Sequence, residues 1–177
     1  VTSYTKANVT KKALSAAIEK SKKGAGILKH VDDIIKYSNK YGLDPRCVTS
    51  MMIWESGWDT NQGKCKTTNN PLGWKVYGSN NGDTYPSVGE ALDTILPQIR
   101  DQYVNAGQNS LYGFTHPTDV GASEYHNYTP GKDYLERAET YAKLINNTGG
   151  AGARGNTINV SPASLRNNSS VRMVQAA

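Results

Sequence analysis

Between Trp54 and Trp58, directly after a run of large apolar residues, the stretch MMIWESGWDT carries one carboxylate, Glu55. Val48, Met51, Met52 and Glu55 are spaced i, i+3, i+4 and i+7, so a helix places all four on one face. That face is apolar and turns inward, which delivers Glu55 to the rim of the core at the helix end. Two effects then act in the same direction on its proton. The Met and Trp side chains withdraw water from the carboxylate, and the negative pole of the helix opposes its charge. A carboxyl group kept protonated near neutral pH suits general acid chemistry, such as proton donation to a glycosidic oxygen. The bland alternative is a solvated helix-end glutamate; the apolar register of its neighbours favours the acid.

The element that positions Glu55 announces its own start. In LDPRCVTSMMIWES, Asp44 is placed to cap free amide groups and Pro45 stands at the first helical position, where its missing donor costs nothing. Upstream, Val31, Ile34, Ile35 and Ser38 recur at helical spacing from about Leu28 to Tyr41, and Gly42 fits a helix C-terminus. Still earlier, the Lys-rich KKALSAAIEKSKK reads as one weakly amphipathic surface helix. Downstream, Ser87 and Glu90 form a capping box for a helix with Leu92, Ile95, Leu96, Ile99 and Tyr103 on one face, and Pro97 is expected to kink it. NAGQNSLYGFTHP reads as a connection. A helix from about Pro117 to Tyr125 and a last one from about Lys132 to Asn146 follow, the latter with Tyr134, Ala138, Tyr141, Leu144 and Ile145 on one side.

From Gly57 to Pro86 helical periodicity disappears and Gly, Asn, Asp, Thr and Ser dominate. The expectation there is loops plus at most a short hairpin, for which WKVY and DTYP joined by GSNNG are the candidate strands. Trp58 and Trp74, in polar loops, suit stacking on sugar rings, whereas Trp54 reads as core. After NNTGGAGARGN the composition is that of a flexible linker, and TINVSPASLRNNSSVRMVQ reads as an extended arm or a strand of a following module.

Taken in order, YGLDPRCVTSMMIWESGWDT, NNPLGW, YPSVGEALDTILPQI and YTPGKDYLERAETYAKLI resemble the bacterial and phage glucosaminidase family of peptidoglycan hydrolases. The resemblance covers residues 28–146. It implies a mostly α (α+β) lysozyme-like fold, a helical bundle with a small loop or β-hairpin lobe forming a glycan cleft. Residues 1–27 would then be a Lys-rich arm or connector, and 147–177 a Gly-rich linker with an extended arm. Glu55 is implied as the acid, with the segment of Asn70, Gly73 and Trp74 lining the cleft beside it. A tyrosine near the last helices is implied to approach the reacting sugar; Tyr128 fits best, with Tyr125 and Tyr134 as further candidates for substrate contact. The family also places a second acidic residue in the hairpin lobe, where Asp83 stands, although NNGD reads equally as a turn. Asp59 and Glu90 are the other candidates. EYHNYTPG partly resembles the Tyr-Asn motif of lytic transglycosylases, with His126 interposed.

The activity so implied is cleavage of β-1,4 bonds in cell-wall glycan, with N-acetylglucosaminidase action favoured over muramidase or transglycosylase action. A non-catalytic glycan-binding virion module is the competing class. No cofactor is implied, and the three scattered histidines suggest no metal site. The expected partners are peptidoglycan strands and, through the arms, other virion or cell-wall proteins, in an extracellular, cell-wall or virion (tail-associated) setting. The chain begins at Val1, which suggests processing or a longer parent. A formal charge of +5 attracts polyanions in general. Because the basic residues are spread through arms and surfaces, nucleic acid is not expected as a partner, and no apolar run has the length of a membrane span. Cys47 and Cys65 are expected to form a bridge in an extracellular setting; free thiols are the alternative.

Overall fold

The computed structural model describes residues 9–61, 63–75, 82–108, 111–124 and 134–148. These form a mostly helical domain: α1 (Lys11–Ser21), α2 (Val31–Lys40), α3 (Pro45–Ser56), α4 (Gly63–Thr68), α5 (Val88–Gln102), α6 (Leu111–Thr115) and α7 (Tyr134–Asn147), with short 3-10 turns between some of them.

The central element is α3. Asp44 caps it by accepting from the Arg46 amide at 2.9 Å, Pro45 occupies its first position, and Gly57, at φ 74, closes it. Every residue from Pro45 to Ile53 is buried. The one-face reading was therefore too narrow: α3 is enclosed on all sides until its last turn, where Glu55 emerges. Around it, α2 and α7 pack directly, α5 packs on α2, and α1 lies against α7 and α2.

Within residues 1–27, expected as an N-terminal arm or connector, α1 is docked on the domain. Leu14, Ala17 and Ile18 are fully buried in the same core cluster as Met51, Met52, Leu92 and Tyr141. The amide of Asn147 also donates to Ser21 Oγ at 3.1 Å. The stripe at 14, 17 and 18 is narrow, but it is enough to dock a helix whose other faces are Lys-rich.

Ser87 Oγ caps α5 by accepting from the Glu90 amide, and the helix then runs on through Pro97. Pro97 removes the donor that would bond the Asp93 carbonyl. That carbonyl accepts instead from the Tyr41 hydroxyl at 3.1 Å, and the Asp93 carboxylate pairs with Lys40 at 2.8 Å. The proline thus sits where α2 supplies the missing donor.

Other expectations change more. Residues 63–68 are helical rather than loop, and α6 falls inside the expected connection. The expected helix from Pro117 is a 3-10 turn, Pro117–Val120, ended by Gly121 at φ 80. Among the described residues there is no strand, and most of the expected hairpin turn lies outside them, as does 149–177.

The expected disulfide is not formed: Cys47 and Cys65 are both free and buried. Cys47 lies in the first turn of α3 with its thiol 3.7 Å from Met51 Sδ, whereas the Cys65 thiol bonds Ser56, the last residue of that helix. Those two positions on α3 are separated by about 13 Å of helix rise, well beyond the reach of a bridge. Burial pushes both thiols up, so neither is a ready thiolate.

Candidate functional site

Glu55 leaves the enclosed part of α3 two residues before the helix is closed by Gly57. The side chain is open to solvent on one side, yet protein crowds the carboxyl closely enough that loss of hydration raises its pKa above the ordinary 4.5. The positive charge of Arg137, on α7, acts in the opposite direction and is the weaker influence. Asp93 and Asp101 are shifted the opposite way, downward, by their hydrogen bonds to Lys40 and Arg100.

The backbone of the following loop lies against this carboxyl. A β-carbon added at Gly73 would sit 3.3 Å from Glu55 Oε2, and Gly73 has φ 60, a conformation glycine adopts without strain. Ser56 Oγ holds the same loop from the helix side, donating to the Pro71 carbonyl at 2.7 Å.

What fixes the loop is a pair of asparagines. Asn70, 3% exposed, receives the Trp74 amide at 2.9 Å and donates to the Trp74 carbonyl at 2.9 Å and the Asp83 carbonyl at 3.2 Å. Asn69, in the left-handed region at φ 53, donates to the Tyr85 carbonyl at 2.8 Å, while the Tyr85 amide bonds the Thr68 carbonyl. Asn70 therefore organises the wall of the site from below, its amide committed to backbone. Trp74 is half-buried, and its indole N–H reaches Gln98 Oε1 on α5 at 3.3 Å.

Asp83 is joined to this assembly through its carbonyl, and its carboxylate lies 3.3 Å from Lys75 Nζ. The Tyr85 hydroxyl approaches it at 3.4 Å; burial and this negative neighbour push the Tyr85 pKa up to about 12, so it remains a neutral donor. No protein-family model matches the chain, and no curated protein is significantly similar to it. What the site can do follows from its own residues.

Glu55 at the end of α3 thus lies against Gly73, and Asn70 ties the backbone of Trp74 to that of Asp83. Trp58 follows the α3 end, half-buried against the core, with its carbonyl accepting from the Ile27 amide at 3.0 Å. The segment carrying it is latched to the 3-10 turn Gly26–His30: His30 Nε2 meets Thr60 Oγ1 at 2.7 Å, and Lys29 donates to Asn61 Oδ1 at 2.8 Å. Asp59 packs against Gly26 in that latch and caps the Asn61 amide. Glu90 is exposed in the first turn of α5. Tyr125 and Tyr128 lie outside the described residues, and Tyr134 is the first residue of α7.

Arg137 was not foreseen. Its guanidinium lies over the Trp54 ring, 5.3 Å from the centroid, and its Nε has no acceptor among the described residues. A signal was available in the sequence. Arg137 falls three residues after Tyr134 and four before Tyr141, a basic residue beside the apolar stripe of α7.

Among the described residues no group of three or more His, Cys, Asp or Glu side chains converges as a metal site, and no helix is long and apolar enough to cross a membrane.

Proposed function

We propose that this protein is a peptidoglycan hydrolase of lysozyme-like fold that cleaves β-1,4 glycosidic bonds of cell-wall glycan, with N-acetylglucosaminidase action favoured. It works at an extracellular wall or as part of a virion. The observation that carries this reading is a carboxyl driven toward its protonated form at the end of an enclosed helix, pressed against the backbone of a loop held in place by asparagines. The ordered resemblance of the sequence to glucosaminidases supports the same reading.

In this mechanism Glu55 donates its proton to the glycosidic oxygen as the bond to the leaving sugar breaks, and the resulting glutamate then acts as base toward the attacking group. Trp74 and Trp58, each half-buried, offer apolar faces to sugar rings. Loop backbone at Gly73 leaves room for the bond beside the acid.

A second reading, transglycosylation by an internal hydroxyl, is favoured by one observation. Asp83, the expected second carboxylate, is engaged with Lys75 and Tyr85 rather than set free opposite Glu55. A single-carboxylate site leaves stabilisation of the anomeric centre to the substrate's own acetamido group or to an internal hydroxyl.

Mass spectrometry of the fragments released from purified peptidoglycan separates these outcomes. Reducing-end N-acetylglucosamine marks the favoured activity, reducing-end muramic acid a muramidase, and anhydromuramic acid a transglycosylase. A folded Glu55→Gln variant is expected to release nothing measurable. Absence of fragments from the wild type on several wall types would overturn the enzymatic reading in favour of a glycan-binding module.

A further inference from the structure

Trp74 is held through both its backbone and its ring. Its amide donates to Asn70 Oδ1 at 2.9 Å, its carbonyl accepts from Asn70 Nδ2 at 2.9 Å, and its indole N–H donates to Gln98 Oε1 at 3.3 Å. The backbone ties fix where the residue sits in the loop. They leave the ring free to turn, because the second side-chain torsion of a tryptophan has a broad well. The bond to Gln98 is the one of these that fixes the plane of the ring.

The Gln98 carboxamide has a single orientation that suits its partners. An indole N–H can only donate and a carbonyl can only accept, so Oε1 faces Trp74 while Nε2 donates to the Thr94 carbonyl, one turn back, at 2.9 Å. The side chain is thereby tied to its own helix and to the ring. That helix is a firm anchor, with Leu92, Ile95, Leu96 and Ile99 buried in the core. The fold itself gains little from such a bond. Trp74 and Gln98 are both half-buried, where water serves polar groups nearly as well.

We propose that Gln98 is a positioning residue for Trp74: it sets the indole ring, on the loop that lies against Glu55, as a rigid platform for the C–H face of a β-linked N-acetylhexosamine. This rests on the reading of that loop as the wall of a glycan site. With its N–H committed to Gln98, the ring offers a ligand only its faces. A β-1,4-linked pyranose of gluco configuration carries its substituents equatorially and presents axial C–H bonds to such a face. Stacking needs the two rings near parallel, and an indole already held in one plane loses less freedom on binding. The partner is therefore a neutral sugar ring rather than a peptide carboxylate of the wall, which would seek the N–H.

The test titrates the Glu55→Gln protein, which leaves the sugar intact, with a tetramer of N-acetylglucosamine. It follows the Trp74 indole N–H resonance by NMR, assigned by its loss in Trp74→Phe, and that resonance is expected to move. Gln98→Met, similar in length but without the acceptor oxygen, should weaken binding by about 2- to 10-fold and speed exchange of the indole proton with solvent. Gln98→Glu returns an oxygen to the ring and should restore the affinity, a rescue that a purely structural role would not produce. Gln98→Leu replaces Gln98→Met if the latter folds poorly. A folded Gln98→Met or Gln98→Leu protein of unchanged affinity would overturn the inference, as would an indole resonance that the tetramer leaves in place. In that last case, fragment release from peptidoglycan by the wild type keeps the hydrolase reading. Conversely, a wild type that releases nothing while Gln98→Met weakens binding would sink that reading and leave the platform standing.

Discussion

A carboxyl that binds its proton more tightly in the folded chain than in the unfolded one makes the fold less stable as pH rises. The folded state of Glu55 favours the proton, so below the ordinary 4.5 both states are protonated and no cost arises. As pH climbs through the window between 4.5 and the raised folded value, the unfolded chain loses its proton first and stability falls. Glu55→Gln removes this cost. Its Tm is expected to equal or exceed that of the wild type at pH 7, with the difference vanishing near pH 4, while fragment release falls by about 10²- to 10⁴-fold. Thermal melts at the two pH values check the first half, and peptidoglycan digestion the second. His30 titrates with the opposite sign. Burial and Lys29 lower its pKa, so the folded chain resists protonation and stability falls as pH drops from the ordinary 6.5 through the lowered value. At Gly73 the residue scale meets the loop. A β-carbon would be forced into φ 60 and 3.3 Å from Glu55 Oε2. Gly73→Ala should cost about 1–2 kcal/mol in denaturant melts, with a larger relative loss of activity, because the strain falls on the acid itself.

Elements here are joined by buried polar groups as much as by apolar faces. Asp44 caps α3, grips the Arg46 guanidinium through Oδ2 at 2.7 Å, and receives the hydroxyl of the fully buried Tyr141 from α7. Arg46 reaches on to Thr148 Oγ1 at 3.4 Å, just past the end of α7. Breaking one partner leaves a buried charge uncompensated. Asp44→Ala is expected to lose about 3–5 kcal/mol in urea unfolding, far more than an ordinary cap. Asn70→Ala acts on the loop instead, leaving the amide and carbonyl of Trp74 and the carbonyl of Asp83 short of a partner. A loss of about 2 kcal/mol is expected, with faster amide exchange at Trp74 and no change in α3. Legibility also divides at this scale. The α3 start was written in Asp44 and Pro45, and the α5 start in Ser87 and Glu90, because caps are local and depend on a few adjacent residue types. Glu55 at the end of α3 was legible from spacing. By contrast, α4 has six residues with Cys65 and Thr68 as its buried members, too short for a period to register. The Asn70 staple was not legible because its partners are backbone groups that no residue type announces, and neither was the seat of Arg137 on Trp54, because it joins segments far apart in the chain.

The whole molecule holds α3 by enclosing it, and α1 is part of the enclosure. The sequence misled about α1 for a physical reason. Its Lys-rich composition dominates the window, while the three positions that matter, Leu14, Ala17 and Ile18, occupy one narrow stripe. Docked against α7 and α2, that stripe is fully buried, and the ion pair between Lys11 and Asp32 at 2.8 Å adds little because both groups are exposed. Burial of Leu14 and Ile18 contributes about 2–3 kcal/mol each, comparable with much of the margin of a typical domain. Removing residues 1–24 would also expose the faces of α7 and α2 that α1 covers. The truncated protein is therefore expected to lose cooperative thermal unfolding or to melt far below the full chain, and to bind a hydrophobic dye at room temperature. Leu14→Ala in the full chain should show a graded version, a loss of about 2–5 kcal/mol with the transition still cooperative. An arm that merely trails from the domain would leave both melts unchanged.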